Sequence, residues 1–387
     1  MDFELTDEQR MFAETVREWV DKETPKDYAR EIEKREHEYP LDLWDKFTAA
    51  GFHGISVPEE YGGQGGDIFM QMLLARGLSR SLAGLTWIWG LTSFAGSKSV
   101  GLYGSMEQKE RFLPQIVKGE ARFSIGFTEP GGGTDLLGGM RTFAKREEGG
   151  WIVNGNKTWC SSAHVADYIL LLARTDREVQ KRHQGLTLFL LPKDSEGVEI
   201  SEIPKLGMRA LGSCDVGLTD VFIPDEYVLG EPGQAWYMLL PTLNNERIML
   251  SSFCVGILDG ILEDALQFVR EREAFGKTIG QFQILQHYLA DIVMWRRQAE
   301  LLVSQAAQML NDGKDCFLES SMAKIQASEY AVKAADLGIQ ILGGMGYSAE
   351  TDAQRYWRDA RLFRIGPVTN EMARNSIAEI MGLPRSF

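Results

Sequence analysis

The feature that most constrains the fold is a change of hydrophobic period, from helical to alternating and back, along a chain of 387 residues. From Thr6 to about Glu120, apolar residues return every three or four positions, as in Phe12, Val16, Trp19 and Val20, and Thr6 followed by Glu8 and Gln9 has the form of a helix start. Ile68 to Arg76 and Met106 to Val117 read as further helices, and the glycine-rich GISVPEEYGGQGG ahead of them reads as turns. Between Arg122 and Pro232 the period becomes two, in GGWIVNGNKTWCS, DYILLLART, LTLFLLP and CDVGLTDVFIP, with a hairpin turn predicted at Asn154-Gly155. From Gln234 onward the helical period returns in Ile248 to Arg270, Leu285 to Ala306 and Phe317 to Leu342, lengths that suit an antiparallel bundle. The prediction is an α+β chain with an N-terminal helical domain (1–121), a central β domain (122–233) and a C-terminal helical domain (234–387).

Composition narrows the function classes. Lys and Arg number 41 against 55 acidic residues, and no basic stripe is present to follow a phosphate backbone, so a nucleic acid partner is not expected. Cys160, Cys214, Cys254 and Cys316 are widely spaced with no CxxC pair, which suggests neither a zinc site nor a disulfide framework and fits a reducing compartment. The first residues are acidic and amphipathic where a signal peptide would be basic and then apolar, and no apolar run approaches membrane-spanning length, so a cytoplasmic protein without a membrane partner is expected. His37, His53, His164, His183 and His287 show neither metal-ligand spacing nor a nucleophile partner, and each reads as structural. The glycines at 131–133 and 343–346 lack the strand, turn and helix of a dinucleotide fingerprint, and there is no P-loop.

Four segments hold chemistry that a plain core does not need. In FTEPGGGTD, Phe127 to Asp135, three glycines follow a strand-like stretch; this is a turn or a cradle whose N–H groups reach a ligand. KTWCSSA, Lys157 to Ala163, closes a strand with an indole and two hydroxyls, either a core tryptophan or an edge for a planar ring with hydrogen bonds at its rim. NNERIML puts Glu246 and Arg247 at the expected start of an apolar helix, where a carboxylate is ordinarily a stabiliser of the helix N-terminus. EREAFGK, with Arg272, Phe275 and Gly276, is a charged and aromatic break after that helix.

In order, EEYGG (59–63), YGSMEQKERFLP (103–114), FTEPGGGTD (127–135), NGNKTW (154–159), REREAFGK (270–277), QILGGMGY (340–347) and YWRDAR (356–361) resemble the acyl-CoA dehydrogenase family over nearly the whole chain. The resemblance implies an N-terminal helical domain, a central β-barrel-like domain and a C-terminal four-helix bundle. It also implies FAD, with Phe127, Thr128, Thr134, Trp159 and Ser161 near the flavin, Ser161 in reach of N5, and Arg272, Phe275, Gln283, Gln340, Gly343 and Gly344 serving the FAD of a neighbouring subunit. Thr369 and Glu371 match the family's Thr-x-Gln/Glu cofactor contact, and the shared site implies a homo-oligomer, usually a tetramer.

The implied reaction is α,β-dehydrogenation of an acyl-CoA thioester: a carboxylate takes the α-proton, the β-hydride passes to flavin N5, and the electrons go on to an electron-transfer flavoprotein. Many members take the base from a Tyr-Glu-Gly-Thr stretch near the C-terminus, but this chain reads RIGPVTNE there and places Pro367 at the glutamate position. Isovaleryl-CoA and long-chain members, and similarly crotonobetainyl-CoA reductases, carry a glutamate on the helix that here holds Glu246, so the resemblance makes Glu246 the base. Thr134, Asn244 and Arg247 are then the expected substrate contacts, with Arg247 as partner of Glu246 near the acyl-CoA. Depth of the acyl pocket depends on the packing of helices around Trp87, Trp89 and Phe94. The same chemistry run in reverse, as an enoyl-CoA reductase, elimination at the thioester without net oxidation, and a non-catalytic flavin-binding subunit are the alternatives.

Overall fold

The computed structural model describes residues 5–35 and 38–384, so His37 lies outside the described residues. Thr6 starts the first helix as anticipated: its hydroxyl accepts the Gln9 N–H at 3.2 Å while the Gln9 side chain accepts the Thr6 N–H at 3.1 Å. Helix α1 (Asp7–Glu23) follows, then α2 (Lys26–Lys34) and α3 (Leu41–Ala49). The glycine-rich stretch folds as turns, with Gly62 and Gly65 at φ of 86° and 63°, where a side chain would be strained. Next come α4 (Ile68–Leu82), α5 (Trp87–Thr92), a π-helical segment at Ser93–Lys98, α6 (Ser99–Tyr103) and α7 (Met106–Val117), the last with the predicted bounds.

The period-two region is β1 (Phe123–Gly126), the short helix α8 (Leu136–Gly139), then β2 (Phe143–Glu147), β3 (Gly150–Ser161), β4 (Tyr168–Arg174), β5 (Leu186–Pro192), β6 (Val198–Glu202), β7 (Ser213–Pro224) and β8 (Val228–Leu229). They form one eight-stranded sheet in the order β6-β7-β3-β2-β4-β5-β8, with β1 pairing parallel to β4. The predicted turn at Asn154-Gly155 is not one. Both residues lie inside β3, where the register against β7 shifts between Val153 and Gly155, and the reversal occurs at Glu147↔Gly150. An Asn-Gly pair suits a bulge as well as a turn. Here Asn154 is engaged by Asp220, its Oδ1 accepting the Asp220 N–H at 2.9 Å, and a Cβ on Gly155 would lie 2.4 Å from the Thr142 hydroxyl.

The C-terminal third holds α9 (Ala235–Glu271), the small hairpin β9 (Glu273–Ala274) and β10 (Lys277–Thr278), α10 (Gln283–Asn311), α11 (Phe317–Leu342), α12 (Gly344–Tyr347), α13 (Ala353–Leu362) and α14 (Asn370–Ile380). Helix α11 has its predicted bounds, but α9 begins at Ala235 rather than Ile248 and runs through Pro241. Ala235, Met238, Leu239, Thr242, Asn245 and Glu246 are buried at helical spacing, so packing carries the helix past a residue that would otherwise end it.

Helix α9 packs against α4, α10 and α11, and one apolar core therefore runs from Leu74 and Leu78 on α4 to Phe253 and Ile257 on α9. Arg76 ties α4 to two of these helices: its Nε reaches Asp259 on α9 at 2.7 Å and its Nη1 reaches Glu300 on α10 at 2.6 Å. No helix among the described residues is long and apolar enough to cross a membrane.

Candidate active site

Glu246 lies eleven residues beyond Ala235, in the body of α9, where the helix dipole has no hold on it. The reading of this carboxylate as a helix-start stabiliser is therefore wrong, because the helix starts earlier than its sequence pattern suggests. Only 7% of its surface is exposed, and among the described residues its carboxylate has no hydrogen bond and no ion pair. Burial pushes its pKa up to about 7, more than Arg247 and Lys324 pull it down. A carboxylate poised near neutrality and facing a cavity is the electrostatic mark of a general base.

The cavity is made by α5, the following π-helical segment and α9. Trp87, Trp89, Phe94 and Met249 wall it, with Asn245 and Glu246 entering from α9. Trp87 stands edge-on to Phe253 with centroids 5.7 Å apart, and the Trp89 indole donates to the Phe52 carbonyl at 2.9 Å, so both rings are held. The helices around Trp87, Trp89 and Phe94 thus border the cavity that Glu246 enters.

Arg247 does not pair with Glu246, contrary to expectation. Successive residues on a helix diverge, and the guanidinium instead donates to Asn244 Oδ1 at 3.1 Å and lies over the Phe317 ring at 4.7 Å. The Ser320 hydroxyl also donates to Asn244 Oδ1, at 3.1 Å, so Asn244 and Arg247 form one cluster beside the N-terminus of α11. The loop containing Pro367 is tied to α11 by Lys324, whose ammonium donates to the Val368 carbonyl at 2.6 Å and to Asn370 Oδ1 at 2.7 Å.

A second constellation forms where β1 leaves the sheet beside the end of β3. The Thr158 N–H donates to the Thr128 carbonyl at 2.9 Å, and the Ser124 hydroxyl donates to the Ser161 carbonyl at 2.8 Å. These bonds bring Phe127 and Thr128 beside Trp159 and Ser161. Trp159 is no core residue: it is 56% exposed and held at φ 59°, a conformation a bulky side chain adopts only where its surroundings impose it. Beneath the loop, Glu129 is clamped by the Lys157 ammonium at 2.8 Å and by the Thr142 N–H at 3.0 Å. Thr134 sits further along the glycine run, exposed.

The remaining predicted cofactor residues lie elsewhere in the chain. Arg272 precedes the β9–β10 hairpin, Phe275 at its tip is 94% exposed with φ 54°, and Gln283 opens α10. Gln340 is on the last turn of α11, and Gly343 and Gly344 follow it, Gly343 at φ 61°. Thr369 caps α14, its hydroxyl accepting the Met372 N–H at 3.1 Å, with Glu371 in the first turn. Among the described residues no hydrogen bond or ring contact joins the Arg272 and Gln340 groups to Thr128 or Trp159, and the Arg272 guanidinium has no partner. An exposed indole face suits the flat ring of FAD, and a free guanidinium and open glycine backbone suit its pyrophosphate.

One feature escaped the sequence reading. Arg141, Arg174, Arg177 and Arg182 line a cavity of about 510 Å³ beside the glycine loop. Three of the four are close in ARTDREVQKR, a basic stretch in an acidic chain, but Arg141 joins them only through the sheet.

Sequence-family profiles for the N-terminal, middle and C-terminal domains of acyl-CoA dehydrogenases match residues 6–120, 124–221 and 233–382. Isovaleryl-CoA dehydrogenase of Oryza sativa subsp. japonica is 33% identical over 371 residues, 95% of this chain and 90% of that one. Butyryl-CoA dehydrogenase from Megasphaera elsdenii superposes with a TM-score of 0.92 at 30% identity, covering 99% of this chain and 100% of the other. The FAD complex of PigA superposes with a TM-score of 0.93 at 28% identity, covering 99% and 100%. The chain belongs to the acyl-CoA dehydrogenase family, FAD-binding oxidoreductases of acyl-CoA metabolism.

Proposed function

We propose that the protein dehydrogenates an acyl-CoA thioester between Cα and Cβ with Glu246 as the base. The observation that carries this reading is a mid-helix carboxylate with no partner among the described residues, raised to about 7 and facing a cavity walled by Trp87, Trp89 and Phe94. FAD, when bound, supplies the hydride acceptor. Glu246 receives the α-proton on a carboxylate oxygen, and the aromatic walls exclude water, which keeps that oxygen basic. Arg247 and Asn244, held by each other and by Ser320, would contact the thioester, and Thr134 would do so from the glycine loop. The four guanidinium groups around Arg174 suit the phosphates of CoA.

Phe127, Thr128, Thr134, Trp159 and Ser161 would hold the flavin. Arg272, Phe275, Gln283, Gln340, Gly343 and Gly344 would serve the FAD of a neighbouring copy, and Thr369 and Glu371 complete the set. Their separation from Trp159 within one chain supports a homo-oligomer, in keeping with the exposed apolar surface at Phe275, Ile284, Met294 and Tyr347. An electron-transfer flavoprotein is the proposed acceptor of the electrons, on the strength of the family resemblance.

Anaerobic titration of the yellow holoprotein with a panel of saturated acyl-CoAs tests the reading: at least one bleaches the flavin, and Arg272→Ala weakens FAD retention. A protein that binds FAD but is bleached by no acyl-CoA, and is reoxidised by enoyl-CoA after chemical reduction, would reverse the direction.

A further inference from the structure

Asn245 adjoins Glu246 on α9 and enters the same cavity. It is 4% exposed, and its side-chain nitrogen, with no accessible surface, has no hydrogen-bond partner among the described residues. An unpaired amide donor on a residue lining a cavity otherwise walled by tryptophan, phenylalanine and methionine carries an unmet desolvation cost, and a ligand acceptor would remove it. Apolar side chains would close this cavity just as well if the acyl group were a plain hydrocarbon.

We propose that Asn245 selects a short acyl group bearing a neutral hydrogen-bond acceptor, an ether, hydroxyl or ketone oxygen, on the chain beyond Cβ. The assignment rests on the reading of this cavity as the acyl site. The oxygen lies beyond Cβ because Cα and Cβ are the carbons that lose the proton and the hydride. It is neutral because the Glu246 carboxylate shares the cavity, and a second negative charge there would be repelled. The chain is short because the cavity encloses only about 10 Å³ of free volume, near the minimum that holds one water molecule, so even a few carbons require Trp87 or Phe94 to yield. A site built to hydrogen-bond an oxygen rejects the analogue that leaves its donor unpaired.

The test uses two isosteric enoyl products that bind the oxidised holoenzyme without turnover: 4-methoxy-trans-2-butenoyl-CoA, with an ether oxygen at the fifth position, and trans-2-hexenoyl-CoA, with a methylene there. Calorimetric Kd values are measured for wild type and for Asn245→Leu, which keeps the branched shape and heavy-atom count and removes the donor. The expected result is binding of the ether about ten-fold tighter by wild type, with the preference abolished or reversed in the variant, as one hydrogen bond to a buried donor implies. Equal affinities in wild type, or tighter hexenoyl binding, would overturn the proposal without recourse to the variant. Equal weakening of both ligands in Asn245→Leu would also overturn it and make the amide a partner of the thioester or of Glu246. If neither ligand bound, the acyl-site reading would fall along with the proposal, whereas an active Glu246→Gln enzyme would remove only the base.

Discussion

Glu129 and Glu246 are both buried carboxylates, 4% and 7% exposed, and they are opposites in every other respect. Burial pushes the Glu129 carboxyl up, but Lys157 and the Arg141 N–H more than offset it, and the net pKa is lowered. Its oxygens accept from an ammonium and two backbone N–H groups, and the same ammonium donates to the Phe127 carbonyl at 3.1 Å, so the pair fixes the glycine loop next to Thr128. Glu246 has burial and no such partners, and its pKa rises. Burial alone does not make a base; burial with the partners withheld does.

The largest effect expected from this contrast is on turnover. Glu246→Gln keeps size and removes basicity, and should slow flavin reduction by substrate about a hundred- to ten-thousand-fold, measured by anaerobic stopped flow, with FAD content unchanged. Near-normal reduction would break the comparison.

Glu129→Gln should destabilise the fold by about 3–5 kcal/mol in denaturant titrations, because Lys157 is left charged and unpaired in the interior. The sharper form is the double variant Glu129→Gln with Lys157→Met, which removes both charges and should recover most of that loss. If the single variant is as stable as wild type, the clamp is not what holds the loop.

The two glutamates should also respond to pH with opposite sign. Glu246 has a folded pKa above its unfolded one, so between the ordinary glutamate range and pH 7 the folded chain holds a proton that the unfolded chain has lost. Stability therefore falls as pH rises through that window, by about 3 kcal/mol, and Glu246→Gln should be more stable than wild type at pH 8 by up to roughly that amount and equal to it near pH 4. Flavin reduction, which needs the carboxylate, should fall below about pH 7. Glu129, with a lowered folded pKa, contributes stability that is present at neutral pH and lost as the pH drops. Thermal melts of the two single variants across pH 4–8 that run parallel would refute the distinction.

The smallest effect belongs to a cap. Thr6→Ala removes one acceptor from the start of α1 and should cost about 1 kcal/mol in the same melts, with no change in the pH profile of either glutamate.

Sequence alone determined the order of helical, β and helical regions, because apolar period is a local property and these segments are long. It also determined α7 and α11 to the residue, where a Ser105 cap and a loop glycine, Gly343, coincide with the ends of the pattern. The motifs FTEPGGGTD and KTWCSSA were visible as either turn and core or ligand cradle and edge, and the structure joins them through a bond from Thr158 to Thr128. Three decisions were left to tertiary structure. The helix through Pro241 exists because Ala235, Met238 and Leu239 find an apolar surface with Leu188 on β5 and Leu229 on β8, and that environment puts Glu246 in mid-helix instead of at a dipole. Asn154-Gly155 became a bulge because a partner strand was available on β7. Arg141 joined Arg174, Arg177 and Arg182 only through the sheet, since long-range electrostatics has no period to read. In each case the outcome depends on which surface the rest of the chain presents, and burial, partners and pKa are properties of that surface.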